Sequence, residues 1–298
     1  MLLLFWGTTG LLSTGYPNNL SWRHSTGYPP RYLCSAETGL SIINPFHPEG
    51  VSPECSYAIL DKTCVSSDVY DGNIVIGTAS GGLYKVDWDY VIGKGCDINN
   101  PYDFSSDIEG FTTFSGLLSN EIIEVEANGD YLGIVTSSGF CYGRAGESEY
   151  INYVTESGKD CFVRADNHVY FAEGNRILSK GSPGDFSSWD QEYNLSYEIN
   201  DIWVASKEGV DTIFVGTEGG PYVIQGANTY DYSTVVSGSK NIVSVAVEYD
   251  SNYNWGHLFT AASGMVNIIN LKSKEVETII PYEGLVLFAV ESQRLYSK

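Results

Sequence analysis

One phrase recurs along this chain: an apolar strand, a tight turn rich in glycine, serine, threonine or glutamate, then a second strand of aliphatic and aromatic residues. Its clearest copies, Asn73-Ile74-Val75-Ile76-Gly77-Thr78-Ala79-Ser80-Gly81-Gly82-Leu83-Tyr84-Lys85-Val86-Asp87 and Thr212-Ile213-Phe214-Val215-Gly216-Thr217-Glu218-Gly219-Gly220-Pro221-Tyr222-Val223-Ile224, agree almost position by position. Looser copies fall at 32–43, 131–142, 168–178 and 258–269. Successive turns lie about 45 residues apart on average, the spacing of four-stranded propeller blades rather than of smaller solenoid repeats. The turn glycines fit backbone at positive φ. No G-x-x-x-x-G-K-[ST] phrase follows a strand, so they are not read as a phosphate loop.

Alternating runs precede the hairpins, as in Ile122-Ile123-Glu124-Val125, Ile202-Trp203-Val204 and Val243-Ser244-Val245-Ala246-Val247, and suit the innermost strand of a blade. Residues 3–14 form another hairpin, and 285–290 with 294–296 form a pair cut off by the C-terminus. If these terminal strands share one sheet, a ring closes and its edges vanish. The expected fold is therefore all-β: a single β-propeller domain over 1–298, of about seven four-stranded blades, sealed by N- and C-terminal strands in a shared blade. Turn residues predict loop insertions near 15–30 and 89–119. No stretch carries the capped 3.6-residue periodicity of a long helix.

Charge narrows the function classes. Asp and Glu number 37 against 16 Lys and Arg, a formal charge of −21, with no basic run to focus a positive field. Nucleic-acid binding is excluded on that ground, because phosphate neutralisation supplies much of its affinity. The apolar opening Met1-Leu2-Leu3-Leu4-Phe5-Trp6 lacks a positive flank, is too short to span a membrane, and is read as a buried strand. All six cysteines, Cys34, Cys55, Cys64, Cys96, Cys141 and Cys161, precede residue 162, and none forms C-x-x-C. Zinc knuckles and thioredoxin-type chemistry are therefore not indicated, while Cys34 and Cys141 read as small buried hydrophobes and Cys55 with Cys64 as a candidate bridge.

No catalytic, cofactor or metal set emerges. His24, His47, His168 and His257 stand far apart in sequence, Asp68-Val69-Tyr70-Asp71-Gly72-Asn73 lacks calcium-loop spacing, and no G-x-S-x-G sits between strand and helix. Sialidase-like propellers prompt a look at Ser182-Pro183-Gly184-Asp185-Phe186-Ser187-Ser188-Trp189, but its glycine precedes the aspartate and the phrase occurs once. The arginines Arg23, Arg31, Arg144, Arg164, Arg176 and Arg294 are scattered among the expected blades, a poor start for a carboxylate-sugar site. Contacts are expected on projecting loops, where Trp22, Arg23, His24, Tyr28 and Trp88 form the candidate interface.

Two phrases go beyond generic patterning: Asn175-Arg176-Ile177-Leu178-Ser179-Lys180-Gly181-Ser182-Pro183-Gly184-Asp185-Phe186-Ser187-Ser188-Trp189, and Gly216-Thr217-Glu218-Gly219-Gly220-Pro221-Tyr222-Val223-Ile224-Gln225-Gly226. Both resemble phrases of tailed-bacteriophage virion proteins, in propeller-like tail stabilisation or nozzle components. The resemblance covers about 50 residues in the middle of the chain. It implies a non-enzymatic virion protein of the tail or head–tail region, assembled in the host cytoplasm and present in multiple copies through virion symmetry. Its implied partners are other virion structural proteins, a host surface receptor or a glycan. The competing expectation is a sialidase-like propeller that binds or hydrolyses glycans.

Overall fold

The computed structural model describes residues 17–23, 31–36, 39–43, 53–57, 63–70, 73–87, 109–128, 131–143, 150–164, 166–207, 209–249, 255–263 and 265–281. They form six four-stranded antiparallel sheets, each a meander of four consecutive strands. The first holds β1 (Pro17–Arg23), β2 (Arg31–Ala36), β3 (Gly39–Ile43) and β4 (Pro53–Tyr57). The second holds β5 (Cys64–Tyr70), β6 (Asn73–Thr78), β7 (Gly82–Asp87) and β8 (Glu109–Phe111). The third holds β9 (Ile122–Asn128), β10 (Tyr131–Thr136), β11 (Gly139–Gly143) and β12 (Ile151–Val154), and the fourth β13 (Gly158–Val163), β14 (His168–Glu173), β15 (Arg176–Gly181) and β16 (Gln191–Asn194). The fifth holds β17 (Ile199–Lys207), β18 (Val210–Thr217), β19 (Gly220–Gln225) and β20 (Asn228–Asp231), and the sixth β21 (Ile242–Tyr249), β22 (Trp255–Ala262), β23 (Met265–Asn270) and β24 (Glu275–Pro281).

Each recurring hairpin of the sequence is the central pair of one sheet, and each alternating run before it is that sheet's first strand. The terminal strands expected to close a ring lie outside the described residues. Both stretches read as insertions contribute strands. β1 occupies part of 15–30, with Pro17 at its first position, where a missing N–H is tolerated. Three-residue β8, followed by a 3₁₀ turn at Thr113–Ser115, lies within 89–119 and is too short to show alternation.

The chain divides into two compact units. In the unit Gly10–Asn194, β1 packs against β5, β5 against β9, and β9 against β13, so successive first strands lie side by side. In the unit that carries Leu195–Lys298, β17 packs on β21 in the same manner. Sheets stacked this way cover both faces of their central strands. That is why β6 and β10, each with a sheet of the same unit on either side, are buried almost throughout and read as continuous apolar runs instead of alternating ones.

A β-bulge marks the same place in every first strand, at Asn18, Val65, Ile123, Lys159, Asn200 and Val243. The residue after it is always polar: Asn19, Ser66, Glu124, Asp160, Asp201 and Ser244. The structure shows the use of two of them. A first strand is the edge of its sheet, so alternate N–H groups find no partner in the ladder. The Val125 N–H donates to Ser66 Oγ at 3.0 Å in the preceding sheet, and the Val245 N–H donates to Asp201 Oδ2 at 2.6 Å, in the equivalent position. Two residues on, the Ala127 N–H donates to Asp68 Oδ2 at 2.7 Å. Serine and aspartate on one blade-like sheet thus cap the edge of the next.

The turns of the central hairpins are closed by a repeated threonine. Thr78, Thr136 and Thr217 are fully buried, and their hydroxyls donate to the carbonyls of Gly82, Gly139 and Gly220 at 2.8, 3.0 and 2.6 Å. Each hydroxyl also accepts a turn N–H, from Gly81, Ser138 and Gly219 respectively. Gly82, Gly139 and Gly220 carry φ of 86°, 140° and 134°, which explains the glycine at that place.

Candidate functional site

The sequence placed an interface on Trp22, Arg23, His24, Tyr28 and Trp88. Trp22 and Arg23 are the last two residues of β1, in register with Tyr32 and Arg31 of β2. His24, Tyr28 and Trp88 lie outside the described residues.

A more elaborate arrangement lies at the junction of the third and fourth sheets, around the phrase that ends in Trp189. After β15, Asp185 Oδ1 accepts both the N–H and the Oγ–H of Ser187, at 2.8 and 2.6 Å. These two bonds hold the Asp185 carboxyl below the ordinary aspartate range. The ammonium of Lys180 donates to the Ser188 carbonyl at 2.6 Å, and Asp190 Oδ2 accepts the Gly181 N–H at 2.9 Å. The tied turn delivers Phe186 and Trp189 as a stacked pair, with centroids 4.7 Å apart, into an aromatic cluster with Phe140, Tyr142, Tyr153 and Phe171. The phrase is an anchor for the sheet junction.

Beside this cluster, Glu173 occupies the place before the turn that threonine holds in three other sheets. Its carboxylate is buried, and Oε2 accepts from Arg176 Nε and Nη2 at 2.9 and 2.6 Å and from the Tyr153 hydroxyl at 3.3 Å. The Thr155 hydroxyl donates to Oε1. Glu192 stands 3.5 Å from Arg176 Nη1 on the outer side. Burial first, and then the Glu173 charge, raise the Tyr153 phenol, while Arg176 opposes them. Both carboxylate oxygens are engaged by donors of the chain itself, so the cluster acts as a clamp between β12, β14 and β15. Sequence reading missed Glu173. Aligning the hairpin copies was the available signal, since an acid replaces the threonine there.

Removing one partner tests the clamp asymmetrically. Arg176→Met is expected to cost about 1 kcal/mol, discounted because the guanidinium is partly exposed, since it leaves a buried carboxylate without its cation. Glu173→Thr is expected to cost less, because threonine at this position is already suited to closing the turn and Arg176 can turn to solvent. Urea melts followed by near-ultraviolet circular dichroism report both, and equal losses would contradict the clamp.

Arg164 pairs with Asp166 at 2.6 Å in the turn between β13 and β14, whereas Arg176 lies at the turn between β14 and β15. The two occupy opposite ends of one sheet and do not converge. Cys141 and Cys161 are buried free thiols on β11 and β13. Burial pushes the Cys141 thiol up to about 11, partly offset by the Leu118 N–H, and burial with surrounding carboxylates raises Cys161 well above its ordinary value. At pH 8 both are expected to react with iodoacetamide about a hundredfold more slowly than an exposed cysteine, as read by peptide mass spectrometry. Rapid labelling of the folded chain would show that these strands open.

Meandering four-stranded sheets stacked through their first strands can be compared with known architectures. A crystal structure of a nidogen/laminin complex is similar, with a TM-score of 0.55 over 85% of this chain and 93% of that one, at 10% identity. The fold is of β-propeller type. At that identity the likeness speaks for the propeller fold alone. No protein-family description and no curated protein sequence matches the chain.

Proposed function

We propose that this propeller-type chain is a non-enzymatic scaffold and docking protein of a tailed-bacteriophage virion, in the tail or head–tail region. It is present in several copies and binds other virion structural proteins or the host surface. The observation that carries the reading is the location of the two virion-like phrases. Residues 175–189 build the tied aromatic turn at the junction of the third and fourth sheets, and 216–226 build the hairpin of β18 and β19. Both are framework elements that stiffen a platform, as a structural component requires. Around them, Lys180, Asp185, Asp190 and Thr217 are engaged in the turns. The proposal includes a ring of about seven blades, closed by the terminal strands in a shared sheet. The glycan-hydrolysing alternative needs converging arginines, and the placement of Arg164 and Arg176 at opposite ends of one sheet speaks against it.

Mass spectrometry of purified particles tests the assignment. The chain is expected among the stoichiometric virion components, in a copy number that matches a symmetric ring of the tail. Its absence from intact particles would overturn the virion reading.

A further inference from the structure

The fourth strand of each sheet has an outer edge that pairs with no strand of that sheet, and five of these six strands carry an acid. Glu54 lies on β4, Glu109 on β8, Glu192 on β16, Asp231 on β20 and Glu275 on β24. Charged side chains guard a bare strand edge, because a further strand that adds to it has to desolvate them. β12 is the exception. Its residues Ile151-Asn152-Tyr153-Val154 include neither a charge nor a proline. Val154 is 74% exposed, the most exposed large hydrophobic side chain among the described residues. The strand is also held rigidly from both faces. The Asn152 side-chain amide donates to the Gly116 carbonyl at 3.1 Å, while the Tyr153 ring turns the other way and meets Trp189 edge-on, with centroids 5.3 Å apart. The Thr155 N–H donates to the Ser138 carbonyl at 3.2 Å, continuing the register that sets Val154 opposite Gly139. Backbone groups alternate along an antiparallel strand, so the N–H and C=O of Tyr153 point inward and those of Asn152 and Val154 point out from the sheet.

We propose that the outer edge of β12 is a strand-addition site for an extended segment of a protein partner, apolar at alternate positions and flanked by basic residues. The incoming backbone pairs with the outward groups of Asn152 and Val154, and one of its apolar side chains covers Val154. Charge selects the occupant. Glu156 is exposed two residues beyond the end of the strand, and the whole chain carries a formal charge of −21. A basic flank on the added strand complements both, whereas a second copy of this chain would set like charge against like. The inference deepens the docking reading and rests on it, but not on the location in a virion.

The test is a titration of the full-length chain into a fluorescent octapeptide of alternating valine and threonine between paired lysines, followed by anisotropy at physiological ionic strength. Val154→Pro removes an outward N–H and no inward one, and is expected to weaken binding about tenfold while keeping the parent's thermal melt. Thr229→Pro is the control. It removes an outward N–H from the acid-bearing edge of β20, where the Tyr232 N–H donates inward to the Pro221 carbonyl, and is expected to leave binding unchanged. A peptide with glutamates in place of the lysines is expected to bind about fivefold more weakly. Amide hydrogen exchange of the parent chain, followed by nuclear magnetic resonance, should slow about tenfold at Asn152 and Val154 when the lysine peptide is added, and it decides alone if Val154→Pro does not fold. Absence of peptide binding, equal affinity of the parent and a folded Val154→Pro, or unchanged exchange at both amides overturns the site. A parent chain that dimerises, and that Val154→Pro makes monomeric, would give the edge to a second copy and overturn the basic partner. None of these readouts depends on particle composition, so this failure and that of the virion assignment are distinguishable.

Discussion

Phe140→Ala is expected to lower the stability of the unit Gly10–Asn194 by about 4 kcal/mol, the largest effect of any substitution considered. Phe140 on β11 is fully buried and stacks on Phe171 of the next sheet with centroids 5.0 Å apart. It also meets Phe186 at 5.5 Å and Tyr142 at 6.3 Å, so its removal empties the middle of the cluster that joins the third and fourth sheets. The surrounding groups cannot collapse into that space. Phe186 and Trp189 are held from behind by the tied turn, and Phe171 and Tyr142 by their strands. Transfer and cavity costs therefore both apply. Denaturant unfolding monitored by tryptophan fluorescence, sensitive to Trp189 in the same cluster, measures the loss. A loss below about 1 kcal/mol would mean that the two sheets are not packed through this residue.

Gly77→Val is expected to cost about 3 kcal/mol, and for the opposite reason. A Cβ at Gly77 would lie 2.5 Å from Ile122 Cγ2 and 2.9 Å from Val125 Cγ2, atoms of the first strand of the following sheet. Gly216 repeats the arrangement, its Cβ position lying 3.0 Å from Ile242 Cγ2 and 3.2 Å from Val245 Cγ1. At the junction of the third and fourth sheets the partners exchange sizes. Val135 stands where Gly77 and Gly216 stand, and it faces Gly158, where the other junctions carry Ile122 and Ile242. At these three junctions one methyl-sized space is filled from one side only. The double substitution Gly77→Val with Ile122→Gly should accordingly regain much of the loss, to an extent limited by the flexibility that glycine adds to a strand. Thermal melts of the two variants provide the check. Equal destabilisation of both would show that the size exchange is incidental.

The six central hairpins were legible because a turn advertises itself locally. Threonine, glycine and small polar residues sit where the chain must reverse, and apolar runs flank them. The third-to-fourth-sheet junction was half legible: the phrase through Trp189 stood out, but its role as an aromatic anchor, and the part that Glu173 plays, did not. The stretch 17–23 shows the opposite case. A run with Pro17, Asn18 and Asn19 resembles loop chemistry, yet it pairs as β1 because an edge strand tolerates a proline at its first position.

By itself the sequence determined the six central hairpins, their order and the strand before three of them, because strand periodicity and turn preference act over a few residues. The tertiary structure alone decided why Gly77 must be glycine, what Ser66 and Asp201 do after their bulges, and where Glu173 finds its neighbours. Those answers lie in contacts between sheets, such as Ser66 with Val125, whose partners are 59 residues apart. Local patterning carries no record of them; they arise when one sheet's edge is laid against the next and every buried donor and every gap has to be matched.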